Sequence, residues 1–265
     1  PRPPGERESR VDLAGQTAIV TGGGQGIGRG IALALAAQGA DVAIFEIDRA
    51  AADAVAQAVR AAGRRALALD VDVTRLPQVE AATREVVAAL GRLDVLVNNV
   101  GWTPHEPFVD SAPETWERIV AVNYLGALNC TRAALGVMIP AARGRIISIA
   151  SDAARVGAPR EAVYSGAKGA VIGFSKALAA EVARHGITVN VVAPSTTDTP
   201  LLRAMLTPEQ IERRQRANPM TRLGRPEDVA AAVAFFASPG AAYISGQVLS
   251  VNLFELDLLL SLDRN

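Results

Sequence analysis

The sequence predicts a single doubly wound α/β domain, with a seven-stranded parallel sheet covered by helices on both faces. Three observations carry this prediction. Short apolar runs alternate strictly with longer helix-period segments. The apolar runs are nearly continuous, as in strands buried on both faces. No internal linker or repeat divides the chain. Strict alternation of strand and helix requires parallel pairing through right-handed crossovers. Such a sheet gathers ligands at the C-terminal ends of its strands.

The elements follow in order. "QTAIVTG" (16–22) reads as the first strand, and "IGRGIALALAAQG" (27–39) as a helix closed by Gly39. "DVAIFE" (41–46) is the second strand. The helix at 48–63 has Asp48 as N-cap, Val55 and Val59 one turn apart, and Gly63 as stop signal. "RALALDVDV" (65–73) is the third strand, with a helix to about Leu90, and "LDVLVNN" (93–99) the fourth. One long helix is expected from Pro113 to Ile139, then "GRIISIAS" (144–151) as the fifth strand. A helix over 161–185, "ITVNVVAP" (187–194), a helix over 224–238 with Pro226 near its start, and "SGQVLSVN" (245–252) complete the pattern. The irregular stretch 195–222 is long enough to cover a site.

Composition narrows the function classes. The chain has 265 residues, 49% of them hydrophobic, enough for one large core. The 27 basic and 27 acidic residues cancel, so charge gives no push toward nucleic acid or an anionic membrane. A small-molecule partner is expected instead. The one cysteine, Cys130, excludes an intramolecular disulfide and fits a reducing, cytoplasmic compartment; its apolar surroundings mark it as core filler. Two histidines and one cysteine make a His/Cys metal site unexpected. The start, "PRPPGERESR" (1–10), lacks the apolar stretch of a secretory signal and reads as a disordered tail. No apolar run approaches the roughly 18 residues that span a membrane.

"TGGGQGIGRG" lies between the first strand and the first helix. Gly22, Gly24, Gly26 and Gly28 let the backbone turn sharply and approach a ligand. The helix start behind them offers free N–H groups and a positive dipole end, suited to a pyrophosphate. No Gly-Lys-Ser/Thr follows, so this is not a Walker A loop, and Ile27 breaks G-x-G-x-x-G. The pattern is T-G-x-x-x-G-x-G, with Gln25 where a basic residue would favour a 2′-phosphate. Glu46 ends the second strand, where a carboxylate accepts from both adenosine ribose hydroxyls and repels a 2′-phosphate. Both features favour NAD over NADP. The competing reading is a solvated Glu46 with Arg49 as phosphate ligand.

"SDAARVGAPREAVYSGAK" (151–168) places Tyr164 and Lys168 four residues apart on one helix face. An unperturbed tyrosine, with a pKa of about 10, is almost wholly protonated at neutral pH. A neighbouring lysine cation favours the phenolate, letting Tyr164 exchange a proton with an alcohol or a ketone. Ser151, at the end of the fifth strand, lies at the same sheet edge.

Y-x-x-x-K alone is common, but here it is joined in order by "TGGGQGIG" (21–28), "DV" (72–73), "NNVG" (98–101), Asn123 in "VNYLG", Ser151 and "VNVVAP" (189–194). Over about residues 11–252 the chain resembles the short-chain dehydrogenase/reductase family. The resemblance implies a Rossmann-type NAD-binding catalytic domain and a tetrad of Asn123, Ser151, Tyr164 and Lys168. In it Tyr164 is the acid/base, and Ser151 orients and polarises the carbonyl. Lys168 lowers the Tyr164 pKa and holds the nicotinamide ribose, while Asn123 anchors a water next to Lys168. Cofactor contacts are implied for Gly22, Gln25, Gly26, Ile27, Gly28, Glu46, Asp72, Val73, Asn99, Gly101, Thr197 and Thr199, besides Tyr164 and Lys168. The resemblance also implies a homodimer or homotetramer.

Within that family, "NNVGW", "GRIISIASDAARVG", "TDTPLL" and "GQVLSV" are similar to 2-hydroxycyclohexanecarboxyl-CoA dehydrogenases. That similarity implies a cyclic β-hydroxyacyl-CoA substrate. Trp102 and His105 are then candidates for its pocket, and Arg155, Arg160, Arg203, Arg213 and Arg214 for CoA phosphates. His185 is read as capping a helix end. The rivals are a 3-oxoacyl-carrier-protein reductase, which usually goes with NADPH, and a catalytically weak NAD-binding scaffold subunit.

Two departures from the family pattern stand out. Ser195 follows Pro194 where the family has glycine, so the loop takes another path if that turn needs a positive φ. The chain ends "LFELDLLLSLDRN", in which Phe254, Leu256, Leu258, Leu260 and Leu262 recur with period two. That spacing predicts a strand with one buried face, seated on a neighbouring subunit; a short leucine-rich helix is the rival.

Overall fold

The computed structural model describes residues 11–252. The first strand, β1 (Thr17–Thr21), leads into α1 (Gly26–Ala37), then β2 (Asp41–Glu46), α2 (Arg49–Ala61), β3 (Ala66–Asp70) and α3 (Leu76–Leu90). There follow β4 (Val95–Asn98), α4 (Pro113–Val120), α5 (Gly126–Met138) and β5 (Gly144–Ile149). The remaining elements are α6 (Ala153–Val156), α7 (Ala162–Val182), β6 (Ile187–Pro194), α8 (Pro200–Met205), α9 (Pro208–Ala217), α10 (Pro226–Ala237) and β7 (Val248–Val251).

All seven strands pair in parallel, in the order β3-β2-β1-β4-β5-β6-β7. The order reverses between β1 and β4, which makes the cleft above these two strands the switch point of the sheet. The strand residues sort by parity onto two cores. Ala18, Val20, Val42 and Ile44 pack beneath α1, α2 and α10. Ile19, Ala43 and Phe45 face α3, α5 and α7. All seven of these side chains are buried, which is why their sequence runs are apolar without alternation. Cys130 is one of the second core's fillers, and burial pushes its thiol up to about 12.

Three local details differ from the sequence reading. The long helix expected over 113–139 is interrupted by a π-helical turn at Ala121–Leu125, with Asn123 at its centre. A π turn widens the hydrogen-bond ladder from i→i+4 to i→i+5, and such turns concentrate at functional sites. The helix expected to reach 185 ends at Val182 and tightens into a 3₁₀ turn, Ala183–His185, closed by Gly186 at φ 69°. His185 makes no capping contact with a helix carbonyl; its Nε2 accepts from Arg184 Nε at 3.1 Å. Within 195–222 two short helices form, α8 and α9. Thr199 and Thr207 cap α8 and α9 by accepting from Leu202 N and Gln210 N. The tails at 1–10 and 253–265, with the expected terminal strand, lie outside the described residues.

Candidate active site

Two elements build the floor of the site. Thr21 ends β1, and its Oγ1 accepts from the backbone N–H groups of Asn99 and Val100 at 3.0 and 3.2 Å while donating to Val97 O at 3.3 Å. Asn99 returns the contact, its side-chain amide donating to Thr21 O and Gly22 O at 3.0 and 3.1 Å. The ends of β1 and β4 are thereby tied across the switch point. Asn99, expected to line a cofactor cleft, braces the glycine loop that forms its edge.

The loop needs its glycines for reach. Gly22 and Gly26 have φ of 61° and 50°, in the left-handed region. A Cβ on Gly28 would lie 2.0 Å from Gly22 O and 2.5 Å from Asn99 Nδ2, so the start of α1 can approach the turn only without one. No side-chain cap serves the first turn of α1, where Gly26, Ile27 and Gly28 follow the extended Gln25. Its N–H groups therefore remain directed at the cleft, as an anion requires. Thr199, at the start of α8, stands over this turn: its Cγ2 is 3.3 Å from the position a Cβ on Gly26 would take.

Glu46 reaches back to the loop. Its Oε2 accepts from Gly24 N at 3.2 Å, and its Oε1 accepts from Ile47 N and Asp48 N at 2.9 and 3.3 Å. This carboxyl is held in place, not solvated freely. Arg49, the alternative phosphate ligand, bonds to Asp53 at 2.9 Å on the exposed face of α2. Asp72 folds its own turn, accepting from Thr74 N and Thr74 Oγ1 at 2.9 and 2.7 Å. Val73 is buried against Gly126, where a Cβ would meet Val73 Cγ2 at 2.7 Å. The donors, the glycine cradle and the anchored carboxyl fit a dinucleotide along the β1–β4 edge.

The polar groups of the second half converge on the far side of the same cleft. Ser151 lies two residues beyond β5 and Tyr164 in the first turn of α7, close enough for the Ser151 hydroxyl to act on the phenol. Ser151 Oγ also accepts from Ala153 N at 3.2 Å. Lys168 is buried one turn further along, its Nζ 5.8 Å from the Tyr164 ring centroid. That nitrogen donates to Ile149 O at 2.9 Å and reaches Val100 O at 3.5 Å. Gly101 passes so close that a Cβ there would lie 3.1 Å from Asn123 Oδ1 and 3.3 Å from Lys168 Nζ. Asn123 is spent on backbone: its amide donates to Trp102 O and Ile119 O at 2.7 and 2.8 Å, and its Oδ1 accepts from Trp102 N at 3.2 Å. The π turn thus pins the loop after β4.

The electrostatics correct one expectation. Burial raises the Tyr164 pKa, and the nearby Glu161 carboxyl raises it further; the Ser151 hydrogen bond acts the other way. Lys168 is not among the causes that shift Tyr164, and burial brings its own pKa down to about 8. Ser195 settles another expectation: its φ is not positive, and its N–H bonds to Val251 O at 3.4 Å, so this turn has no need of glycine. Thr197 is buried and donates to Ser195 O at 3.0 Å.

Four of the five arginines expected at CoA phosphates hold protein partners. Arg155 bonds to Asp152 and Ser250, Arg160 to His105 O, Arg203 to Asp198 and Arg214 to Thr196. The Trp102 ring lies under the Arg118 guanidinium, 4.0 Å from centroid to cation. Sequence reasoning missed the residues around Tyr164 that come from the loop after β4, from α4 and from the turn before α7: Glu106, Phe108, Trp116 and Glu161 line a cavity against the tyrosine. Thr21 was missed as well, although it opens the glycine motif.

A glycine turn that fits a dinucleotide, facing a Ser–Tyr–Lys cluster at a switch point, is an arrangement suited to an oxidoreductase. The comparisons agree. The family model described as enoyl-(acyl carrier protein) reductase matches residues 22–253. The chain is 37% identical over 253 residues to a hydroxynaphthalene reductase of Aspergillus fumigatus, covering 91% of this chain and 92% of that one. It is 39% identical over 242 residues to the 3-oxoacyl-[acyl-carrier-protein] reductase FabG of Escherichia coli, covering 91% and 98%. A solved structure described as a short-chain alcohol dehydrogenase from Sinorhizobium meliloti superimposes with a TM-score of 0.88 at 34% identity, covering 94% and 98%. The chain belongs to the short-chain dehydrogenase/reductase family, and it is an oxidoreductase of CH–OH groups. The similarity to 2-hydroxycyclohexanecarboxyl-CoA dehydrogenases is not among these findings.

Proposed function

We propose that the protein interconverts a secondary alcohol and a ketone with NAD as cofactor and Tyr164 as proton partner. The observation that carries this reading is the convergence of Ser151, Tyr164 and Lys168 on the cleft whose other side is the glycine loop with its anchored Glu46. The cofactor, once held by Gly22 to Gly28, Glu46 and Thr199, supplies or accepts the hydride. The chain's own residues handle the proton and the oxygen. In reduction, Ser151 Oγ and Tyr164 Oη donate to the carbonyl oxygen, and the Tyr164 proton passes to it as it becomes the alcohol. In oxidation the alcohol proton returns to Tyr164. Lys168, with a pKa near 8, is cationic at neutral pH and is proposed to hold the nicotinamide ribose. Asp72, Val73, Asn99, Gly101, Asn123 and Thr197 are proposed to shape the cleft. Residues 195–222 are proposed to cover substrate, and the leucine-rich end beyond 252 to join copies of a cytoplasmic homo-oligomer.

Glu46 supports NAD: a carboxylate at the end of β2 repels a 2′-phosphate, and three backbone N–H groups hold this one in place. The test is cofactor affinity. The wild type is expected to bind NADH more tightly than NADPH, and Glu46→Ala to narrow or reverse that order. NADPH binding preferred by the wild type would overturn the assignment.

The substrate class first proposed is a cyclic or β-hydroxyacyl thioester. A second reading, reduction of a 3-oxoacyl group on a carrier protein, draws on the relatives of that name, 38–39% identical over most of both chains. Rates with a ring β-ketoacyl-CoA and a linear one separate the two. A light-scattering mass unchanged by deletion of 254–265 would rule out the oligomer role of the tail.

A further inference from the structure

Ser151 is followed by a buried carboxylate that no step of the proposed reaction uses. Asp152 stands just before α6, where an aspartate ordinarily spends its side chain on the first N–H groups of the helix. This one makes no such cap. Ser151 Oγ serves the helix start instead, accepting from Ala153 N at 3.2 Å. The Asp152 side chain, 5% exposed, turns toward the sheet edge. Its Oδ1 accepts from Ser250 Oγ at 3.0 Å and from Arg155 Nη1 at 3.3 Å, and Arg155 Nη1 also donates to Ser250 Oγ. The three side chains close a triangle between the turn after β5, α6 and the edge strand β7. Backbone bonds complete the lacing: Asp152 N donates to Pro194 O at 2.9 Å, and Ala154 N to Ser151 O at 3.0 Å. On its other side α6 rests on α7, where a Cβ on Gly169, the neighbour of Lys168, would lie 3.8 Å from Ala154 O.

We propose that Asp152 is a positioning residue for Ser151: anchored to Ser250 and Arg155, its carboxylate fixes the turn from which the Ser151 hydroxyl meets the carbonyl oxygen. The inference rests on the alcohol–ketone reading and adds a residue to it. A buried charge is costly and persists only where partners satisfy it. Ser250 lies 98 positions further along the chain, so its bond to Asp152 fixes the turn against the sheet. A local cap would leave the turn free to swing on the end of β5. Without the carboxylate the turn keeps its backbone bond to Pro194 and loses its side-chain tie to β7. The consequence for rate is large, because a group displaced by about 1 Å from its productive position loses about a hundredfold.

The test combines kinetics with hydrogen exchange on the full chain. With NADH and the best ketone of a panel, Asp152→Ala is expected to lower kcat at least about tenfold, with KM and the calorimetric NADH affinity near wild type. In a Ser151→Ala background the same change is expected to cost less than about twofold, because the group it positions is gone. Asp152→Asn, which still accepts from Ser250, is expected to stay within about threefold of wild type. Ser250→Ala breaks the same tie from the β7 side; it is expected to slow kcat in the same Ser151-dependent way and replaces Asp152→Ala if that variant does not fold. In either alanine variant the amides of 151–157 are expected to exchange faster, with the glycine loop unchanged. The proposal is overturned if the loss persists undiminished in the Ser151→Ala background, if Asp152→Asn is as slow as Asp152→Ala, or if exchange over 151–157 stays at the wild-type rate. Ketone reduction at the wild-type rate by Asp152→Ala would sink the role of Asp152 and leave the alcohol–ketone reading standing. A wild type that reduces no ketone, while 151–157 exchanges faster in Asp152→Ala, would do the reverse.

Discussion

Replacing Lys168 by methionine is predicted to stabilise the fold at neutral pH while removing activity. Lys168 is 3% exposed, and its pKa falls from 10.5 to about 8 on burial. At 1.36 kcal/mol per pKa unit, the folded state disfavours the ammonium by about 3 kcal/mol. The sign follows from proton binding. Below the folded value both states hold the proton, and the cost is present in full. Between the folded and unfolded values only the unfolded chain holds it, so stability rises with pH and the cost disappears. Methionine has a similar length and no charge, but it forfeits the 2.9 Å bond to Ile149 O, worth about 1 kcal/mol. The net expectation is a gain of about 2 kcal/mol near neutral pH, turning into a loss of about 1 kcal/mol above the unfolded lysine pKa. Urea unfolding followed by circular dichroism at about pH 7 and about pH 11 measures both, with m unchanged. A Lys168→Met variant less stable than wild type at neutral pH, or offset equally at both pH values, would refute the reasoning.

Three further predictions follow from separate parts of the site. Gly28→Ala places a Cβ 2.0 Å from Gly22 O, where no rotamer can relieve it; a loss of about 2 kcal/mol or more in urea unfolding is expected, together with lost cofactor binding. Glu161→Gln removes a charge that raises the Tyr164 pKa, so ultraviolet titration, read as a difference from the same change in a Tyr164→Phe background, should show this tyrosine ionising at lower pH. Asn123→Ala leaves Trp102 O and Ile119 O without their donor; a cost of about 2 kcal/mol is expected, with faster proteolysis of the loop after β4.

The fold was legible because its determinants are periodic. Val42, Ala43, Ile44 and Phe45 are apolar without a break, and the sheet buries alternate ones in opposite cores. The glycine motif and the Tyr164–Lys168 spacing were legible because each needs only local geometry. The π turn at Asn123 was not, since one widened turn leaves the apolar period almost unchanged. The direction of the Tyr164 shift was missed because a sequence shows neighbours along the chain but not how far a group is removed from water. Glu106 and Trp116 were missed because they come from a loop and a helix start that only the tertiary fold brings against Tyr164.

The central claim is that Tyr164 transfers the proton in an NAD-linked alcohol–ketone reaction. It is tested most directly by following nicotinamide absorbance with a ketone panel for wild type and Tyr164→Phe, alongside NADH binding by calorimetry. The account predicts that wild type oxidises NADH with at least one ketone, and that the phenylalanine variant binds NADH as before while turning over at least about a hundredfold more slowly. A Tyr164→Phe enzyme with wild-type turnover, or a wild type that binds NADH and reduces no ketone, would contradict it.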